Sequence, residues 1–156
     1  MNKPLTPCLW FDSQAEEAAR FYSSVFKNSG IDEISYYGKE GYEIHGQPEG
    51  TVLTVSFHIN GQPFTALNGG PVFKISEAVS FQVFCDTQEE IDYYWENLSS
   101  VPEAEQCGWL KDKYGVSWHI VPSVLSKLLS DPEKAGHVMQ AYLKMKKFDI
   151  DGLLNA

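Results

Sequence analysis

Cysteine is scarce in this chain of 156 residues, with only Cys8, Cys85 and Cys107. They are odd in number, far apart and form no C-x-x-C, which argues against a disulfide scaffold and against a cysteine zinc site. Positive charge is also short. Twelve Lys and Arg stand against 21 Asp and Glu, a formal net charge of −9. Phosphate backbones and anionic lipids are repelled by such a surface, so neither nucleic acid nor membrane is an expected partner. The one basic cluster, Lys144, Lys146 and Lys147, reads as the last turn of a helix, where cations favour the dipole. Long apolar runs are missing too. No stretch approaches the roughly 20 residues of a membrane span, and Met1 to Phe11 lacks the apolar run of a signal peptide. A cytoplasmic location is the resulting expectation. No G-x-G-x-G loop follows a strand, and Asn68-Gly69-Gly70 lacks the Lys-Ser/Thr of a phosphate loop, so it reads as a linker.

What is present is patterned. The length suits one domain or two small fused modules. Leu5 to Phe11 is a candidate strand. Ser13 with Glu16 fits a capping box, and Ala15, Ala18, Ala19, Tyr22 and Phe26 recur at helical spacing up to Asn28-Ser29-Gly30. Ile31 to Tyr37 reads as a strand and Gly38 to Gly50 as a loop. Thr51 to Ile59 alternates, with Leu53, Val55, Phe57 and Ile59 on one face. Asn60-Gly61 is a strong hairpin signal, which makes Phe64 to Leu67 the return strand.

The second half repeats the plan. Ala78 to Cys85 reads as a strand, Thr87 with Glu90 is a second capping box, and Ile91, Tyr94, Trp95 and Leu98 mark a helix. Ala104 to Trp109 and Val116 to Val121 are further predicted strands. Phe11-Asp12-Ser13-Gln14-Ala15-Glu16-Glu17 matches Cys85-Asp86-Thr87-Gln88-Glu89-Glu90 in position, so the chain reads as an internal βαβββ repeat. Each such unit leaves one sheet face uncovered, and two units can curl so that those faces enclose a cavity. Beyond Val121, Pro122 suits a first helical position, with Val124, Leu125, Leu128 and Leu129 as one stripe. Asp131 reads as the cap of a further helix, and Asp149 to Leu154 as a last short one.

The wording of the motifs carries a resemblance. Pro7-Cys8-Leu9-Trp10-Phe11 with Glu16-Glu17-Ala18 and Phe21-Tyr22, Leu67-Asn68-Gly69-Gly70-Pro71 with Ala78-Val79-Ser80-Phe81, the stretch from Cys107 to Trp118, and Lys146-Phe148-Asp149-Ile150-Leu153 together resemble the PhnB-like, 3-demethylubiquinone-9 3-methyltransferase-like family. This family lies in the vicinal-oxygen-chelate (glyoxalase/bleomycin-resistance/dioxygenase) superfamily. The resemblance implies an α+β fold of paired βαβββ modules forming a curled mixed sheet around a cavity, with extra C-terminal helices. The expected organisation is a single domain over 1–156, with modules at about 3–70 and 76–121 and helices over about 122–155. A homodimer and a small-molecule ligand are implied as partners.

Metal-dependent members of the superfamily hold a divalent ion with four His, Gln or Glu side chains. Carried over, those positions fall near Thr6, at Ser80, at His119 and at a fourth position placed at Ala66. Three of the four offer no strong donor, so no metal and no cofactor are expected. The pleat still predicts a ligand surface. Thr6, Cys8 and Trp10 share one strand face, Ser80 and Gln82 another, Ser117 and His119 a third, and Trp109 is a candidate stacking wall. A half-solvated sheet would show the same pattern.

His119 fits a general base or ligand contact, and equally a histidine satisfied within the sheet. His45 is a candidate lid residue or an exposed loop histidine, and His58 and His137 read as surface. Cys8 and Cys107 read as small buried hydrophobes ahead of nucleophiles, and Asp112 as a turn residue ahead of a catalytic acid. The expected function is small-molecule binding without a catalytic metal. Beside it stand a glyoxalase/dioxygenase-type enzyme using His119, a structural dimer with a vestigial cavity, and the methyltransferase of the family name, for which no nucleotide loop is visible.

Overall fold

The computed structural model describes residues 5–156, so residues 3 and 4 of the expected first module lie outside the described residues. The chain divides into two compact units, Met1–Ile75 and Ser76–Ala156, each with its own mixed sheet.

The first unit runs β1 (Cys8–Phe11), α1 (Ala15–Val25), β2 (Gly30–Tyr36), α2 (Tyr42–His45), β3 (Val52–Ile59) and β4 (Gln62–Asn68). Its sheet order is β1-β4-β3-β2, with β1 parallel to β4 and the other pairs antiparallel. The β3–β4 turn is the Asn60-Gly61 pair, both residues at positive φ (49° and 77°), as a tight primed hairpin turn requires. Helix α1 buries Ala15, Ala18, Ala19, Tyr22 and Val25. Tyr22 stacks on Phe57, and Val55, Phe57, Ile59, Phe64 and Ala66 are buried with it. Small alanines let the helix approach the sheet closely, and Tyr22 fills the remaining depth.

Three expectations change here. The Ser13–Glu16 capping box does not form. Gln14 is the cap and makes no side-chain bond, and the Ala15 N–H instead donates to the Asn68 side chain at 2.8 Å, from the end of β4. Glu16 turns away to Arg20. The 38–50 loop contains the one-turn helix α2. Strand β1 starts at Cys8, which leaves Thr6 exposed just before it.

The second unit runs β5 (Ser80–Cys85), α3 (Gln88–Leu98), a 3-10 turn (Pro102–Ala104), β6 (Trp109–Lys111), β7 (Ser117–Pro122), α4 (Leu125–Leu129), α5 (Ala135–Tyr142) and α6 (Ile150–Leu154). Its sheet order is β5-β7-β6, with β5 parallel and β6 antiparallel to β7. Here the capping box forms as the sequence predicts: Thr87 accepts from the Glu90 N–H, and Glu90 reaches back to the Thr87 N–H. Ile91 and Leu98 of α3 are fully buried, as are Leu110 and Ile120 of the sheet, with Trp118 nearly so.

The α+β architecture with two mixed sheets stands, but Ala104 to Trp109 is not a strand. Cys107 (φ 48°) and Gly108 (φ 84°) are consecutive left-handed residues, which no strand accommodates. Their N–H groups donate to the carbonyls of Met145 and Lys146. Pro122 closes β7 instead of opening a helix, and α5 begins at Ala135 with no cap from Asp131. The lysine cluster lies past the end of α5, and Lys146 and Lys147 pair with Glu105 and Asp92. Asp149 caps α6 as expected.

Candidate functional site

The register of the second sheet determines which side chains meet. Ser80 lies opposite Ser117, Gln82 opposite His119, and Trp109 opposite His119 from the other side. Alternation therefore places Ser80, Gln82, Ser117, His119 and Trp109 on one face. Phe81, Val83, Cys85, Leu110, Trp118 and Ile120 take the other. The second set belongs to the core beside α3, and the first is the face the sequence marked for a ligand.

His119 is buried (7% exposed) and held at both ring nitrogens. Nε2 lies 3.1 Å from the Cys107 carbonyl, which can only accept, so Nε2 carries the proton and donates. Nδ1 is then the acceptor for the Gln82 amide at 3.2 Å. Burial pushes the imidazole pKa down from 6.5, and the bond to the Cys107 carbonyl pulls weakly the other way. His119 is thus a neutral imidazole with a fixed tautomer. Trp109 lies flat on it, with ring centres 3.5 Å apart and 6° between planes. The indole N–H donates to the Ser80 hydroxyl at 3.1 Å. Trp109, still 37% exposed, is thereby fixed in plane by one stack and one hydrogen bond. Four of the seven residues marked in the sequence, Ser80, Gln82, Trp109 and His119, form this connected group.

Two recesses open on this face. The larger, about 600 Å³, is lined by Trp109, Ser117, Cys107, Tyr142, Glu77 and Glu103, among others. The smaller, about 360 Å³, is lined by Gln82, Phe84 and His119 with Leu125 and Leu129 of α4. Sequence reasoning placed Ser117 on this face without singling it out. It did not mark Glu77, Glu103 or Tyr142 for this face, because loop residues carry no sheet periodicity and Tyr142 reads as part of the apolar edge of its helix.

The other three marked residues belong to the first unit. Cys8 is exposed and its thiol pKa is raised by partial burial. Trp10 is half-buried, donates to the Gly70 carbonyl at 2.9 Å and meets Phe73 edge-on. Cys8 and Trp10 pair with Thr65 and Leu67, whereas Ala66 is fully buried on the α1 face. The metal position placed at Ala66 is therefore corrected. Thr65 and Leu67, not Ala66, share the face of Cys8 and Trp10.

Other candidates resolve locally. His45 accepts from the Gln47 N–H and donates to the Glu40 carbonyl, with its ring tilted against Tyr37, so it is tied down locally. His58 pairs with Asp32. Asp112 is buried at a turn, accepting from Tyr114 N, Val116 N and the Trp118 indole. A catalytic divalent metal does not fit the carried-over set. Thr6, Ser80 and the α1-facing Ala66 offer no strong donor, and His119 has both nitrogens engaged.

A family model described as 3-demethylubiquinone-9 3-methyltransferase matches residues 3–121. The chain belongs to this family. A PhnB protein from Bacillus cereus, described as a 3-demethylubiquinone-9 3-methyltransferase, is 37% identical, with 78% of this chain and 100% of that chain covered and a TM-score of 0.63. A Pseudomonas aeruginosa protein is 15% identical (78% and 98% covered, TM-score 0.57). The fosfomycin resistance protein FosX from Listeria monocytogenes is 16% identical (81% and 96% covered, TM-score 0.50). These last two show a shared fold only. None of the curated proteins matches. Among the described residues, no helix is long and apolar enough to cross a membrane.

Proposed function

We propose that this family member binds a small organic molecule without a catalytic metal, and that the ligand contacts the polar face of the second unit's sheet. The observation that carries this reading is the locked Trp109. A large aromatic surface is held in plane by His119 and Ser80 and remains over one-third exposed beside a recess of about 600 Å³. Preorganised aromatic surface beside a concave, mainly apolar lining with a few polar groups is what small-molecule recognition uses. Ser80, Gln82, Trp109 and His119 are the ligand-face residues in this reading. Thr6, Cys8 and Trp10 are proposed as contacts on the corresponding face of the first unit. A ligand-positioning role also suits His119 better than general-base work, because its acceptor nitrogen is already engaged by Gln82. A cytoplasmic homodimer completes the proposal; light scattering should give twice the 17.6 kDa chain mass.

Thermal-shift screening of a small-aromatic library tests it. A ligand at 100 times its Kd stabilises by about 2.7 kcal/mol, and the shift should vanish in Trp109→Ala. A library without hits, or hits that shift both proteins equally, counts against the site. Near-stoichiometric divalent metal in freshly purified protein counts against the metal-free reading.

A further inference from the structure

The larger recess has a chemistry of its own. One face of the Trp109 indole lies on His119, and Trp109 lines the larger recess whereas His119 lines only the smaller. The indole is therefore a partition, and what it offers the larger recess is its remaining open surface. Tyr142, on α5, lines the same recess. So do two carboxylates, Glu77 and Glu103. The nearby ammonium of Lys111 is taken up by Glu77 in an ion pair, while Glu103 has no charged partner among the described residues. Ser117 gives a separate indication. It is 2% exposed and lines the recess, yet its hydroxyl has no hydrogen-bond partner among the described residues. No fully buried side-chain polar atom there is left unpaired, so the accessible part of Ser117 must be its hydroxyl, opening to the recess. Open to the recess, that hydroxyl is free to donate to or accept from a group held there.

An open indole surface, a second aromatic, a carboxylate pair carrying more negative charge than Lys111 cancels, and a hydroxyl opening to the recess select one kind of guest. Resting on the small-molecule reading above, we propose that this recess takes a planar aromatic cation. Its ring lies against Trp109, its positive charge faces Glu103 and Glu77, and an N–H reaches the Ser117 hydroxyl. Indole is the strongest side-chain partner for a cation, and net negative charge strengthens the preference.

Calorimetry with three probes of one shape tests this: 9-aminoacridine (a cation at pH 8), acridine (neutral there) and acridine-9-carboxylate. The cation should bind roughly tenfold more tightly than acridine, the anion most weakly. Glu103→Gln should erase most of the cation's advantage without weakening acridine, and added salt should do likewise. Trp109→Ala should weaken both. If acridine or the anion binds as well as the cation, in a Trp109-dependent way, the ligand class is overturned and the binding site stands. If no probe binds, or Trp109→Ala changes nothing, both fall.

Discussion

The buried carboxylate of Asp112 should be a major source of stability in the second unit, and its contribution can be worked out atom by atom. One oxygen accepts from the Tyr114 and Val116 N–H groups at 2.8 and 3.0 Å, and the other accepts from the Trp118 indole at 2.8 Å. The residue is 1% exposed. Hydrogen bonds to a charged group contribute about 1.5–3 kcal/mol each, and an orphaned buried donor costs about 1–3 kcal/mol. Asp112→Asn keeps the oxygen facing the two backbone donors but turns an N–H toward the indole N–H. We expect a loss of about 2–3 kcal/mol. Asp112→Ala removes all three acceptor contacts and should cost about 4 kcal/mol or more. Trp118→Phe in the Asn background deletes the clashing donor. The double variant should therefore be about 1–2 kcal/mol more stable than the sum of the single losses implies. Urea denaturation followed by far-ultraviolet circular dichroism measures each value. Asp112→Asn within about 0.5 kcal/mol of the parent, or single losses that simply add, would refute the assignment of the carboxylate as the indole's acceptor.

Gly108→Ala should destabilise by about 2 kcal/mol or more, read as a lowered Tm. Gly108 sits at φ 84°, and a Cβ there would lie 2.3 Å from the Phe148 ring and 2.8 Å from the Ile120 carbonyl oxygen. His119 makes stability pH-dependent. Its folded pKa is below the unfolded 6.5, so the unfolded chain takes up the proton first; the contribution is full above pH 6.5 and is lost as pH falls through the folded pKa. His119→Gln, which preserves a donor and an acceptor, should flatten that slope in denaturation curves between pH 7.5 and 5; an unchanged slope would count against the buried neutral imidazole. Native protein at pH 8 should present one reactive thiol of three to a disulfide reagent. Cys8 is exposed, Cys107 is buried, and Cys85 is buried with its pKa pushed up to about 12 by desolvation and by the nearby Glu90 and Asp86. Fast labelling of a second thiol before unfolding would contradict it.

The fold was legible where the signal was local. The Thr87–Glu90 box, the Asn60-Gly61 turn, the alanine face of α1 and the alternation of β3 all follow from neighbours within a turn or a pleat. The polar face of the second sheet was legible for the same reason, since period-two alternation assigns Ser80, Gln82, Ser117 and His119 to one side once the strands are found. Trp109 was recognisable as a candidate, but its stack on His119 was not.

Sequence by itself thus determined most of the elements and the polar face, because each depends on interactions between residues a few positions apart, whereas the second unit carries three strands and not the four of a βαβββ repeat. Tertiary structure decided what those residues do. Asn68, 53 positions away, caps α1 in place of Ser13. The Met145 and Lys146 carbonyls take the N–H groups of Cys107 and Gly108, where a strand was expected. Gln82 and the Cys107 carbonyl fix the tautomer of His119. In each case a buried polar group took the partner that the packed chain brought to it, and distance along the sequence carries no record of that choice.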